Sequence, residues 1–475
     1  MTITTLPATA GVDDVCVDNV SAGRKTQPPA AFVSFPSSFT QSLITEALTK
    51  VLPDVGITHE RDHTPRLQWA DYDLMSFDEA RHDPRFLISS YVYRKALIRK
   101  HLLHNTATEY LAKCRHRGVR SALSLPRGWV LDIQFADELD EALMDDLYEL
   151  DAALCANEEK EEDEREWFIL KPGFADKGQG IRMFSSVDEL RAIFEEFEPP
   201  SDNEDEGCKM PVAADGQEGT AVLTSHMRHF VIQQYIPRPM LFDVHKGGMV
   251  GHKVSAFVVA LIEIHLRAHV LVTGMYSVYL SHALFVLFAG VPYTHPRGPD
   301  LDLCPHLTNV SIQTGLALGI VLPLRDMAGA TALAHSPEGY VSVGPVDAAW
   351  IDATFAKAGA VIAEAVRAGA ECGSFNLQLM ENAFELFGVD LLLSYPQGPS
   401  DVVRVPDVTL LEFNASPDVV NSGDALRADL LEMFEGIVRI SAAPFFGCRE
   451  GEMALGEDRW GWRKVGKGEV RASFA

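Results

Sequence analysis

Two apolar runs, each with an acid embedded in it, limit what this chain can become. Leu410–Pro417 reads LLEFNASP, an apolar run that stops at a turn and carries Glu412 and Asn414 two positions apart. Strand residues two apart point the same way, so one carboxylate and one amide carbonyl converge. Asp390 lies inside a second run, FELFGVDLLL, 22 residues before Glu412. A charge there is costly to bury unless it is paired or bound to metal. Hard cations such as Mg²⁺ take oxygen ligands of this kind, with phosphate oxygens completing the shell. Asp390, Glu412 and Asn414 therefore make a candidate metal–nucleotide site. Two core strands with acids at their ends would show the same spacing.

The chain is long enough, at 475 residues, for two or three domains with a substantial core. Its formal net charge of −26 argues against broad affinity for nucleic acid or anionic membrane. The seven cysteines are scattered and form no CxxC pair, which suits a reducing compartment and argues against zinc or a disulfide framework. No basic segment followed by an apolar one opens the chain, so no signal peptide is expected and a cytoplasmic location is. Val254–Val291 is apolar enough to suggest a membrane helix. Glu263, His265, Arg267, His269 and His282 interrupt it, and β-branched and aromatic residues fill it, which favours buried strands.

Taken in order, residues 1–29 lack periodicity and read as a disordered tail. Ala31–Phe35, Ser37–Leu52 and Leu67–Met75 read as strand, helix and strand, a small α/β domain. Arg94–Arg127 holds nine Lys/Arg and one acid, Glu109. That balance fits either a docking surface for an acidic partner or a solvated helix face. Ala136–Leu154 reads as one acidic helix, and Asn157–Glu166 as an exposed turn. Trp167–Phe184 reads as strand, Gly-rich loop and strand, with Lys171 at the strand end and Lys177 among Gly173, Gly178 and Gly180. Glycines let backbone approach phosphates and lysines supply point charges, but the loop matches neither GxxxxGK[ST] nor GxGxxG. Residues 198–219 read as a disordered insertion. His229–Phe242 is a strand running into a Pro-punctuated turn and could line an adenine pocket. His265–Tyr293 alternates like two long antiparallel strands, and His306–Gln313 reads as a short polar turn. Ala348–Ala368 and Asp424–Ile440 are amphipathic helices, and the residues from Cys448 onward read as a loose tail.

The ordered set YRKALIRK, ILKPGFADKGQGI, VIQQYIPRP, HLR, HLTN, FELFGVD and LLEFNASP resembles the tubulin-tyrosine-ligase-like family of ATP-grasp enzymes, and its fungal members in particular. The resemblance spans about residues 30–445. It implies an α/β (α+β) ATP-grasp fold: a small N-terminal α/β domain (30–125), a central lid domain (126–250) and a C-terminal antiparallel sheet with flanking helices (251–447). It implies ATP and Mg²⁺ as cofactors. By position, Lys171 would hold the α/β-phosphates, and Lys177, Gly178 and Gly180 would form the flexible lid. Gln233, Gln234, Tyr235 and Ile236 would lie along the adenine, with Lys253 and Asn309 beside the nucleotide. Lys95 would sit at the acceptor side, Arg267 would neutralise a developing acyl-phosphate, and Asp390, Glu412 and Asn414 would bind Mg²⁺.

The activity so implied is ATP-dependent carboxylate–amine ligation. A protein carboxylate becomes an acyl-phosphate and a free amino acid attacks it, with the acidic tail of tubulin as first acceptor. A monomer without membrane or sequence-specific nucleic-acid partners is expected. Three departures from the family pattern stand out, one of them His265 where the tyrosine ligases have Asp. Eleven extra residues, Val254–Ile264, separate Lys253 from HLR, either a lengthened strand or a gene-model fault. LFVLFAGVPY also lacks the Arg that tyrosine-adding members carry before their Pro-Tyr pair. The alternative reading is thus an ATP-binding but degenerate scaffold, as in the cytoplasmic RNA-processing assemblies of some fungal relatives. A small-molecule ATP-grasp ligase fits the metal site but not HLTN or YRKAL.

Overall fold

The computed structural model describes residues 30–62, 64, 66–133, 135–173, 180–197, 229–243, 261–289, 291–298, 301–307, 321–336, 339–395, 405–415, 417, 419, 426–448 and 450–468. The expected tail 1–29 and insertion 198–219 lie outside the described residues, as do Lys177, Gly178, Lys253 and Asn309.

The described residues form three sheets. The first is parallel, in the order Gly56–Thr58, Ala30–Ser34, Leu67–Ala70, Leu87–Ile88. Its crossover helix runs Ser38–Val51, and the Ser37 hydroxyl caps it by accepting from the Thr40 N–H at 3.2 Å. Ala31, Val33, Leu67 and Trp69 bury one core with Leu430, Met433 and Phe434 of the helix Arg427–Ile437.

The second sheet is antiparallel, in the order Gly128–Asp132, His229–Gln234, Phe168–Pro172, Arg182–Phe184. Alternation sorts its faces. Phe168, Leu170, Phe230 and Ile232 face helices, in a core with Leu139, Leu150, Leu190 and Phe194. Trp167, Ile169 and Tyr235 belong to a different cluster, which also holds Leu241 and Leu307. Lys171 continues the Trp167–Ile169 row.

The third sheet has eleven strands, built round the 13-residue strand Leu261–Thr273. On one side that strand pairs with Phe384–Ser394, which pairs in turn with Asp407–Ala415. On the other it pairs with Ser277–Ser281 and Phe285–Phe288, and its first residues pair with Met240–Asp243. The 25-residue helix Ala348–Cys372 packs Ala358, Ile362, Ala365 and Val366 into one core with Leu266, Ala268, Val389 and Leu391. Arg267 and Asp390, one residue along each strand, face the other way. No helix among the described residues is long and apolar enough to cross a membrane.

The structure differs from the sequence reading in several places. The acidic stretch forms two helices, Glu138–Met144 and Tyr148–Glu158, because Asp145 leaves helical geometry at φ −118°, ψ −92°. Asn157 is no exposed turn residue: it is 2% exposed, and its amide donates to Glu166 O at 2.6 Å and Ser185 O at 2.9 Å. The expected second long strand of His265–Tyr293 is instead two short ones, Ser277–Ser281 and Phe285–Phe288, both paired with Leu261–Thr273. His306 and Leu307, which begin the expected polar turn, are buried, and the rest of it, residues 308–313, lies outside the described residues. The expected loose tail adds Asp458–Arg459 and Trp462–Lys467 to the third sheet, the latter against Ser277–Ser281. Trp462 is fully buried there and donates to Met433 O at 3.1 Å. Of the eleven extra residues, Leu261–Ile264 lie in the long strand, where Ile262 opposes Phe242 and Ile264 opposes Phe288. Val254–Ala260 fall outside the described residues.

Candidate active site

Three neighbouring strands bring the acids together. Arg267 opposes Asp390, Asp390 opposes Glu412, and Gly388 opposes Asn414. An irregularity after Asp390 places Leu391 opposite Leu410, so Leu411 is the extra residue of a bulge. The bulge breaks the two-residue alternation: Leu410 is fully buried in the core, while Glu412 stays with Asp390. Two carboxylates directly opposite each other repel and need counter-charge. Arg267 grips both oxygens of Asp390, Nε on Oδ1 and Nη2 on Oδ2 at 3.1 Å. Asn414 Nδ2 donates to Asp390 Oδ2 at 3.2 Å.

Lys171 supplies part of the remaining charge from the second sheet. It ends the strand Phe168–Pro172, and its ammonium donates to Gln233 Oε1 at 2.8 Å. Burial pulls its pKa down to about 8, with Glu412 and Asp390 opposing the fall and Lys100 adding to it. Burial alone would raise the Glu412 carboxyl. Lys100, Lys171 and Arg267 outweigh it and hold the group at about 2, so Glu412 is ionised at any physiological pH.

The third support is the helix Lys100–His116. Lys100 Nζ lies 3.0 Å from Glu412 Oε2. One residue on, the His101 ring stacks on His229 with centroids 4.7 Å apart. His104 Nε2 meets Gly128 O at 2.9 Å. The approach to the Gly-rich loop is tight, since a Cβ on Gly173 would sit 2.5 Å from His101 Nδ1. One helical turn thus touches both the strand Asp407–Ala415 and the sheet that carries Lys171. Lys100 lies within the basic run of the sequence, but nothing in its spacing distinguishes it from eight other cations there. That run also divides: Arg94 pairs with buried Glu385 at 2.9 Å, while Arg115 in the helix's last turn and Arg117 and Arg120 after it are exposed.

The other residues marked in the sequence are spread around this centre. Gln233 meets Lys171, whereas Gln234, on the opposite face of its strand, donates to Glu166 Oε2 at 2.9 Å. Tyr235 OH lies 3.0 Å from His306 Nδ1, and Ile236 is half-buried just after the strand. The apolar row Trp167, Ile169 and Tyr235 beside Lys171 is buried and packs with Leu241, Tyr293 and Leu307; the strand's alternation could have marked it. Gly180 ends the loop in left-handed backbone, φ +70°. Lys95 is exposed at the start of the short helix Lys95–Ile98, and Lys100, rather than Lys95, makes the ion pair with Glu412.

The donor set fits Mg²⁺ only in company. Among the described residues no group of three or more His, Cys, Asp and Glu side chains could hold a metal ion. The centre offers two carboxylates and an amide, so a six-coordinate hard cation needs further oxygens from elsewhere, as phosphates supply.

Comparison with known proteins agrees with this architecture. Residues 134–446 match the model of the tubulin-tyrosine ligase family. A probable tubulin–tyrosine ligase of Schizosaccharomyces pombe is 31% identical over 418 residues, 87% of this chain and 92% of that protein. The probable tubulin–tyrosine ligase PBY1 of Saccharomyces cerevisiae is 29% identical over 433 residues, 86% of this chain but 51% of that protein, so the match spans about half of it. Among solved structures, the C-terminal domain of K. lactis Pby1 superposes with a TM-score of 0.60 at 24% identity, covering 93% of this chain and all of that one. That domain is described as an ATP-grasp enzyme interacting with the mRNA decapping enzyme Dcp2. The chain has the ATP-grasp fold and belongs to the tubulin-tyrosine ligase family.

Proposed function

We propose that this protein is an ATP-dependent carboxylate–amine ligase that joins an amino acid to a protein carboxylate. The observation that carries the reading is Glu412 set directly opposite Asp390, with Lys100 Nζ 3.0 Å from its carboxylate. Bound Mg²⁺ and ATP would supply the phosphoryl group that turns the acceptor carboxylate into an acyl-phosphate. Asp390, Glu412 and Asn414 would hold the metal. Lys171, positioned by Gln233, would hold phosphate oxygens, with Lys177, Gly178 and Gly180 closing over them. Gln234, Tyr235 and Ile236 would lie along the adenine, and Lys253 and Asn309 beside the nucleotide. Arg267 would offset the charge that develops as two anions are brought together, and Lys95 would face the acceptor. Residues 126–250 would act as the lid, and 251–447 as the platform beneath it.

The test is ATP consumption with tubulin and single amino acids. Glu412→Ala should lower turnover by on the order of 10²–10³, as for other preorganised electrostatic groups. Unchanged turnover in that variant would remove the proposed site.

A second reading follows from the Pby1 domain, whose description names an interaction with Dcp2. Here the chain would bind nucleotide as part of an assembly on messenger RNA and catalyse nothing. Tight binding of Mg²⁺ and ATP with no turnover on any acceptor would favour it.

A further inference from the structure

The ligand-free centre already contains its own counter-ions. Lys100, Lys171 and Arg267 stand against Asp390 and Glu412, a formal balance of 3 − 2 = +1. Lys100 Nζ, 3.0 Å from Glu412 Oε2, lies on the ligand oxygen that a metal needs. Both side chains are largely withdrawn from water, 20% and 19% exposed, so solvent screens the pair only partly. A free divalent cation would have to displace that ammonium from Glu412 and raise the local balance to about +3, against repulsion that solvent screens only partly. A nucleoside triphosphate brings roughly four negative charges and reverses the sign.

We propose that Lys100 is a built-in counter-cation that closes the metal position until nucleotide arrives. It pairs with Glu412 in the ligand-free protein and excludes free divalent metal. It is released toward the phosphates and the acceptor carboxylate when metal and nucleotide enter together. Its place on the helix that also packs on His229 and Gly173 gives the release a mechanical consequence: the same turn braces the root of the Gly-rich loop. This rests on the metal–nucleotide reading of Asp390 and Glu412, and makes Lys100 a positioning residue that sets the order of binding.

The experiment is titration of the full chain with Mn²⁺ alone, followed by electron paramagnetic resonance of the free ion, in wild type, Lys100→Met and Lys100→Arg. Lys100→Met should bind free Mn²⁺ at least tenfold more tightly than wild type, and Lys100→Arg no more tightly. Lys100→Gln serves the same comparison if the methionine variant does not fold. A parallel titration with Mn²⁺ and a non-hydrolysable ATP analogue, in wild type and Glu412→Gln, reads the underlying site. If the analogue carries metal into wild type but not into Glu412→Gln, while Lys100→Met gains no affinity for free Mn²⁺, the role of Lys100 is overturned and the site stands. If wild type takes up no metal with the analogue, both fall.

Discussion

At the scale of single residues, Lys171 gives the account its sharpest pH dependence. Its folded pKa of about 8 lies below the usual lysine value, because the buried ammonium loses hydration. In the ligand-free protein it loses its proton as pH rises through about 8. Phosphate oxygens favour the ammonium, so nucleotide binding above that pH must recruit a proton. Affinity should therefore fall as pH rises past about 8, by up to tenfold per unit. Calorimetry in two buffers of different ionisation enthalpy should give equal heats at pH 6.5 and unequal heats at pH 9, and Lys171→Met should abolish the difference. Equal heats at both pH values would remove Lys171 from the phosphate site. Glu412, Asn414 and Asp390 could be picked from sequence because a strand has a period of two and a buried acid demands a partner. Lys100 could not. A helix of many cations gives no sign of which one points inward, and the answer depends on how the helix crosses two sheets.

At the scale of elements, the unforeseen strand Trp462–Lys467 is the most instructive. Its sequence, WRKVGK, has a Gly and three cations, Arg463, Lys464 and Lys467, and no strong apolar alternation. What secures it is tertiary: the ladder with Ser277–Ser281, and Trp462 seated against the helix Arg427–Ile437. A Cβ on Gly436 of that helix would lie 2.4 Å from the Trp462 ring, so only glycine admits the indole. Trp462→Ala should cost roughly 3–5 kcal/mol, the range for emptying a large aromatic site. Denaturant unfolding would measure it. A cost under about 1 kcal/mol would show that the terminal strand does not anchor the sheet. The split of the acidic helix at Asp145 was illegible for a related reason: composition there favours helix throughout, and packing of Leu139, Leu143, Leu147 and Leu150 on the second sheet sets the break.

At the scale of the whole molecule, the sequence made the sheets legible better than their joints. The strands Ala30–Ser34 and Leu67–Ala70 of the first sheet, the strand, loop and strand of the second, and the acid-bearing strands of the third follow from local patterns of apolar residues. Their mutual placement does not, because it depends on pairings as distant as Arg94 with Glu385 and Lys100 with Glu412. Those two ion pairs join the N-terminal region to the central strands, and the second of them lies inside the proposed metal site. The long strand absorbs Leu261–Ile264 as ladder, so this part of the inserted sequence is compatible with the sheet. Arg267 keeps its register opposite Asp390 beside it.

The whole account depends on metal and nucleotide meeting at Asp390 and Glu412. Isothermal titration calorimetry of ATP in the presence and absence of Mg²⁺, on wild type and Asp390→Asn/Glu412→Gln, tests that most directly. The account predicts Mg²⁺-dependent binding by wild type and a loss of at least tenfold in the double variant, with ATP affinity in the absence of metal little weakened because Lys171 remains. Equal Mg²⁺-dependent affinity in both proteins, or no binding of ATP by wild type under either condition, would contradict it.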